Sequence, residues 1–235
     1  MTDAKTHRVV NHLIDALPRK ERNKMLMLCK PVDIEFGTIL YEPEQPIKYA
    51  YFPLTAFISL VVTVGDHPPL EMGLIGNEGM LGVTLALGIN ISPLRAVVQG
   101  SGTAMRMSAS HIRRNMRDSP SLLHTFNRYL YVLMAQLAQT IACTRFHEVD
   151  ARLARWLLLT HDRAHADNFH LTHQFLADML GVQRSAVTIA AGALQKRKLI
   201  RYVRGDIKIL NRRGLEDASC KCYDAVIEDY AQAFS

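Results

Sequence analysis

The stretch from Leu171 to Ile200, LTHQFLADMLGVQRSAVTIAAGALQKRKLI, leaves few folds open to the chain. Thr172 is placed as an N-cap, because its hydroxyl can accept a hydrogen bond from an orphan backbone N–H. Phe175, Leu176, Met179 and Leu180 then recur at helical spacing. Gly181 stops this helix, since glycine enters the left-handed region without a Cβ penalty. A second helix is predicted to start near Gln183. It turns Val187, Ala190, Ala191 and Leu194 toward the first helix and leaves Gln183, Arg184, Ser185 and Thr188 nearer solvent. Two helices cross this closely only over a small side chain, and Ala177 supplies it. Leu176, Leu180, Val182 and Val187 form the small core around the crossing. The pattern is that of a helix-turn-helix, and an ordinary helical hairpin in a core is the reading it competes with.

The residues after the motif narrow the choice. Positions 199–210, LIRYVRGDIKIL, read as two short strands around a Gly205-Asp206 turn. A hairpin after a helix-turn-helix makes a winged helix. From Arg184 to Arg213 the basic residues are Arg184, Lys196, Arg197, Lys198, Arg201, Arg204, Lys208, Arg212 and Arg213, against the single acid Asp206. A solvated basic face normally carries interspersed acids. This imbalance, on a motif shaped to enter a major groove, is an electrostatic footprint for phosphate.

The chain has 235 residues, enough for two modest domains or one large one, and its 49% hydrophobic content is ample for a packed core. A net charge of +6 is compatible with nucleic acid without being diagnostic. The N-terminus MTDAKTHRVV is polar and has the character of no secretory signal, and no run approaches a membrane span. Cys29, Cys143, Cys220 and Cys222 are scattered along the sequence. Free thiols in a reducing cytoplasm are the expectation.

Along the chain, residues 6–28 predict one or two short helices: Val9, Val10, Leu13, Ile14 and Leu17 form a stripe that Pro18 interrupts, and Pro31 closes the segment. From Val32 to Met107 short apolar runs alternate with turn residues. The runs are Thr38–Tyr41, Tyr49–Phe52, Phe57–Val64, Leu70–Ile75, Ala96–Gln99 and Ala104–Met107, a spacing that suggests a β-sandwich or barrel. Glu78–Leu87 reads either as a short helix or as a tight loop before a strand. Helical periodicity returns over Ser108–Met116 and from Pro120 to about Thr144. There a heptad places Leu123, Leu130 and Leu137 at one core position and Phe126, Leu133 and Thr140 at the other. A seam of that length wants a partner, so Leu123, Phe126, Leu130, Leu133 and Leu137 are the expected dimer interface. A helix over Glu148–His165, a polar bridge up to Asn168, and a last helix from Arg213 through Cys222 and Tyr230 complete the reading.

This order of parts resembles the CRP/FNR family of bacterial transcription regulators. The resemblance covers nearly the whole chain and is most specific in Leu171–Leu210; in the barrel it rests on strand spacing and on Gly79 and Gly82. It implies an α+β chain: a sensor β-barrel of jelly-roll type with N-terminal helices (1–118), a dimerisation helix (119–146) and a winged-helix DNA-binding domain (147–235). It also implies a homodimer on double-stranded DNA, with RNA polymerase as a further partner, no membrane role and no enzymatic activity. By position, Arg184 matches the arginine that commonly contacts guanine through the O6 and N7 acceptors. Ser185 stands where many relatives carry a cytosine-reading glutamate, and Ile189 where a second base-reading arginine is found, so the base preference is expected to differ. Thr172, Gln183, Thr188, Lys196, Arg201 and Arg204 complete the expected DNA contacts.

The resemblance also implies an effector cassette in the barrel, with a glutamate for a ribose hydroxyl and an arginine for a cyclic phosphate. Glu78 and Arg95 are the candidates. Arg95 is one residue out of register, and in a strand such a slip turns a side chain to the opposite face. A cyclic nucleotide is therefore not expected, and Glu78 and Arg95 read equally as ordinary surface charges. An iron–sulfur cluster is unsupported, because only Cys29 lies near the N-terminus. Cys220 and Cys222 read as packed thiols, with metal or redox chemistry as the alternative, and no metal site is expected. His7, His12, His111, His124, His147, His161, His165, His170 and His173 form no recognised ligand array. Two other readings stay open: a small-molecule-binding barrel whose C-terminal helices are structural, and a constitutive DNA-binding dimer whose barrel is only a scaffold.

Overall fold

A computed structural model describes residues 10–164 and 166–234; His7, Val9 and His165 lie outside the described residues. Two short helices, α1 (His12–Asp15) and α2 (Arg19–Leu28), lead into a strand-rich domain. Its strands are β1 (Lys30–Ile34), β2 (Ile39–Tyr41), β3 (Tyr49–Pro53), β4 (Phe57–Val62), β5 (Leu70–Ile75), β6 (Arg95–Gly100) and β7 (Gly102–Ser108). They form two sheets, β1-β7-β3 and β2-β6-β4-β5, facing each other as in a jelly roll and not closing into a barrel. The inward side chains, among them Phe52, Ile58, Leu60, Ile75, Val98 and Met107, make one core.

Two departures from the sequence reading have simple causes. Pro31 does not close a helix; it sits inside β1, opposite Met105. That strand pairs only with β7, and an edge strand tolerates a residue without an N–H. The ambiguous segment 78–87 is a loop followed by a 3₁₀ turn, Val83–Leu87. Its glycines make room for rings: a Cβ on Gly79 would collide with the Tyr129 hydroxyl, and one on Gly82, at φ +98°, would sit 2.5 Å from that of Tyr41.

Strand β4 is buried along nearly its whole length, FISLVV, although it lies in a two-layer domain. Ile58 and Leu60 face the inner core, whereas Phe57, with Leu74 of β5, belongs to a second core made by the C-terminal domain. The outer face of this sheet is thus a docking surface.

Helix α3 (Ala109–Asp118) precedes the long α4 (Pro120–Phe146). Ser119 caps α4 by accepting from Leu122 N–H at 3.3 Å, and Pro120 occupies the first turn, where its missing donor costs nothing. The expected dimer seam is only partly available. Phe126 (1% exposed) and Leu133 (9%) are buried in the sandwich core, and Leu123 and Leu130 pack against it. Leu137 lies over Gly73. The heptad therefore marks the face that α4 gives to its own domain. The uncovered stripe is Tyr131, Met134 and Ile141, each at least 60% exposed.

The C-terminal part holds α5 (Val149–Ala164), β8 (Asn168–His170), α6 (His173–Leu180), α7 (Arg184–Lys196), β9 (Ile200–Val203), β10 (Asp206–Ile209), α8 (Arg212–Ala218) and α9 (Cys222–Phe234). The three strands form one sheet in the order β8-β10-β9. β8 begins where the polar bridge ends and has no sequence signal of its own, since three residues cannot show an alternation. The wing turn is Arg204-Gly205, one residue earlier than expected, and both residues have positive φ (51° and 94°), as a two-residue hairpin turn requires. The single last helix is in fact two. Extended backbone at Ser219 breaks it, and α9 turns back to pack along α4.

Candidate nucleic-acid interface

The helix-turn-helix is built as the sequence requires. Thr172 Oγ1 accepts from Phe175 N–H at 3.1 Å, and Gly181 takes the left-handed conformation at φ +64°. Ala177 is buried at the crossing, with Leu176, Leu180 and Val187 around it. Helix α7 begins at Arg184, and its N-cap Gln183 makes no side-chain cap bond. The first turn therefore presents free backbone N–H groups beside the exposed side chains of Gln183, Arg184 and Ser185. Ile189 is 75% exposed on the same helix. Lys196, Arg201 and Arg204 are all exposed, the last at the tip of the wing. Arg197, Lys198 and Lys208 are exposed as well.

Two residues behave differently from their sequence reading. Thr188 is exposed, but its hydroxyl donates to the Arg184 carbonyl (3.0 Å) and meets His173 Nδ1 (2.9 Å). With that hydrogen committed, His173 Nδ1–H must be the donor to Thr188, which the Nδ1–H tautomer of the neutral ring allows. Burial, and then the Arg184 charge, hold the His173 pKa below its usual value, in agreement. The His173 ring also stacks on Tyr202 of β9 at 4.1 Å, and Gln195 Oε1 accepts from Tyr202 N–H. His173, to which the sequence reading gives no role, thus joins both helices and the wing into one unit. Arg212, part of the basic run, faces inward: it pairs with Asp162 (2.7 Å) and Glu216 (3.0 Å) and donates to the Tyr223 hydroxyl.

The expected effector pair is not brought together. Arg95 pairs with Glu42 at 2.8 Å. Glu78 pairs instead with Arg163 of α5, where Nε and Nη2 both reach Oε1, at 2.9 and 2.8 Å. The cavity between the sandwich and α4 measures 190 Å³, below the roughly 300–1,000 Å³ usual for small-molecule sites. Its lining includes Tyr41, Leu60, Ile75, Met80, Leu130, Leu133 and Met134, with no charged side chain among the described residues. A cyclic phosphate would find no counter-charge there, so these residues do not fit a cyclic nucleotide.

Glu78 and Arg163 belong to a polar seam between the two domains. Its other centre is Glu71 on β5, which is 7% exposed. Trp156 Nε1–H of α5 donates to Glu71 Oε1 at 2.8 Å, and Ser59 Oγ lies 2.5 Å from Oε2. Desolvation pushes the Glu71 carboxyl up to about 7, against the lowering effect of these contacts and of Arg163 and Arg155. Arg152 donates to the Leu180 carbonyl, linking α5 to the end of α6. Tyr230 of α9 closes the seam by donating to the Glu78 carbonyl at 2.7 Å.

The thiols that are scattered in sequence are gathered in space. Cys143, His147, Cys220 and Cys222 bring their ligand atoms within 4.8 Å of one another, a grouping the sequence reading did not foresee. The His spacing gives no hint of this, because the four residues come from the end of α4 and from the bend between α8 and α9. Cys29 lies apart, buried in the sandwich core, and its thiol is pushed up to about 12 by desolvation.

Residues 151–218 match the Crp-like helix-turn-helix domain. A comparison with curated proteins finds no significant match. Among solved structures, FixK2 from Bradyrhizobium japonicum is similar at 14% identity and a TM-score of 0.69, over 82% of this chain and 98% of that one. The c-di-GMP-responsive global regulator CLP of Xanthomonas campestris aligns at 15% identity and a TM-score of 0.66, over 82% and 99%. A CRP/FNR-family transcriptional regulator from Thermus thermophilus aligns at 20% identity and a TM-score of 0.63, over 81% and 98%. No helix among the described residues is long and apolar enough to cross a membrane. The chain has the fold of the CRP/FNR transcription regulators, and its residues 151–218 form a Crp-like helix-turn-helix domain.

Proposed function

We propose that this protein is a homodimeric, sequence-specific DNA-binding transcription regulator. The observation that carries the reading is the first turn of α7, where Gln183, Arg184 and Ser185 stand exposed at a free helix N-terminus above a packed helix-turn-helix. In this reading the recognition helix, expected over about 183–195 and found as α7 (Arg184–Lys196), enters the major groove, Arg184 donates to guanine, and Ile189 offers an apolar surface to a thymine methyl. Thr172, Lys196, Arg201 and Arg204 serve the phosphates, which position the domain without reading sequence. Thr188 acts by holding His173 and the α7 backbone.

The division into a sensor domain (1–118), a central helix (119–146) and a DNA-binding domain (147–235) follows from the same reading. So does a dimer that places two recognition helices about one DNA turn apart. The stripe Tyr131, Met134 and Ile141 is the face available for it. Met134→Asp with Ile141→Asp is expected to give a monomer in sedimentation velocity; an unchanged dimer would place the interface elsewhere.

Selection of bound sequences from random DNA, at fixed salt, tests the function. Enrichment of a two-fold symmetric site is expected. Arg184→Ala should then cost about 1–3 kcal/mol on that site, roughly 5- to 150-fold in affinity, with little change on random DNA. Equal loss on both would contradict base reading by Arg184.

A further inference from the structure

We propose that Cys143, His147, Cys220 and Cys222 form a structural zinc site at the junction of the central helix and the DNA-binding domain. Their ligand atoms all lie within 4.8 Å of one another; Cys143 Sγ and Cys220 Sγ are 3.5 Å apart, and Cys222 Sγ is 3.4 Å from His147 Nδ1. A tetrahedral ion with Zn–S bonds of about 2.3 Å places its ligands about 3.8 Å apart, so the four atoms need move little to close on one ion. A two-iron cluster spreads its ligands over two metal centres and would need a wider cage.

The sequence puts these groups there by two separate devices. Cys143 and His147 are four residues apart at the C-terminal end of α4, hence one above the other on a single face. Cys220 and Cys222 flank the bend that breaks α8 from α9, and that bend carries both thiols to α4. All three thiols are buried, yet they lie outside the two large apolar cores and form a cluster with only Ala151 packed against it. Buried cysteines that merely fill space sit among methyl groups; here sulfur faces sulfur, imidazole and an amide. Gln139 Nε2 donates to Cys222 Sγ at 2.9 Å, the kind of outer hydrogen bond that stabilises a ligating thiolate.

The donor set selects the metal. Three thiolates and one imidazole in a closed, four-coordinate cage are the ligands of structural zinc, and they leave no open position for catalysis. On binding, each thiol releases its proton to solvent and the ion keeps its charge, so no oxidant or reductant is needed. The Arg152 and Arg155 charges act on Cys143 and complement the net negative charge of the occupied site. A Cys143–Cys220 disulfide is the competing product of this geometry, but it would leave His147, Cys222 and Gln139 without a common purpose.

The site would bind the end of α4 to the last bend of the DNA-binding domain. The loop it closes, residues 143–220, contains the whole winged helix. Zinc binding here is independent of DNA binding, because its readout is the metal. The full-length protein, produced with added zinc salt, is expected to retain about one zinc per chain after gel filtration. Metal-stripped protein titrated with cobalt(II) should show the thiolate charge-transfer and intense visible bands of a tetrahedral sulfur-rich site. Cys222→Ser should abolish both, and Cys29→Ser neither. His147→Cys should keep the ion and shift the cobalt bands, a result that loss of folding cannot imitate. Protein that retains no zinc and gives only the weak spectrum of octahedral cobalt would overturn the proposal. So would a Cys143–Cys220 disulfide found by mass spectrometry in protein purified under nitrogen.

Discussion

Arg163→Met is expected to destabilise the docked arrangement of the two domains by about 3–5 kcal/mol, the range for removing one partner of a buried ion pair. The Arg163 side chain is 6% exposed and that of Glu78 15%. Besides its two contacts to Glu78, Arg163 donates to the Leu159 carbonyl at 2.9 Å, and its charge bears on the buried Glu71. Methionine fills similar volume but leaves Glu78 with the single N–H of Gly76 as a described donor to its carboxylate. Denaturant unfolding would show the loss, and hydrogen exchange would localise it to α5 and the loop 76–82. Glu78→Gln in the same chain should recover most of the stability, because the uncompensated charge is then gone. A cost below about 1 kcal/mol for the single change would mean that the pair is solvated and does not hold the domains.

Glu71→Gln is expected to act in the opposite direction, and only at the higher pH. The carboxyl titrates near pH 7 in the folded protein, against 4.5 for a free group. A raised acid means that the folded state holds the proton more tightly. The stability associated with it is fully present below pH 4.5 and is lost as the pH rises through 7. The difference between 4.5 and about 7 corresponds to at most about 3–4 kcal/mol. Glutamine imitates the protonated form at every pH, with its carbonyl still accepting from Trp156. The variant should therefore match the wild type near pH 5 and exceed it at pH 8. The difference between the two stability profiles isolates this group from other titrations. Parallel profiles over that range would show that Glu71 is not buried in solution.

The helix-turn-helix was legible because its demands are local: a cap at Thr172, a left-handed glycine at 181 and a small residue at 177 lie within ten positions. The strands of the sandwich from β2 onward were legible for the same reason, as short apolar runs between turns, whereas β1, with Pro31 inside it, was not. What escaped depends on contacts across the chain. The heptad in α4 is genuine, but a periodic apolar face does not say whether a second chain or the same one covers it. Phe126 and Leu133 are taken by the sandwich. Glu78 has the right position for an effector ligand, yet its partner arrives from α5, 85 residues later. The gathering of Cys143, His147, Cys220 and Cys222 needs a helix break at Ser219 that one serine in a polar stretch does not announce.

The return of α9 has a consequence for how the molecule comes into being. Its contacts with α4, α5 and the sandwich core are all with residues made before it. Phe234 packs against the sandwich core and lies under the Arg128 guanidinium, and Tyr230 reaches Glu78. As the chain leaves the ribosome, the sandwich and α4 can fold as a unit while the face awaiting α9 is still open to solvent. The winged helix comes next, and its core still awaits Tyr223 and Val226 of α9. The seam is finished only when α9 emerges. A nascent chain halted before Cys222 would carry a winged helix short of two core side chains on an unclosed seam, with the apolar surface that α9 covers on α4 still exposed.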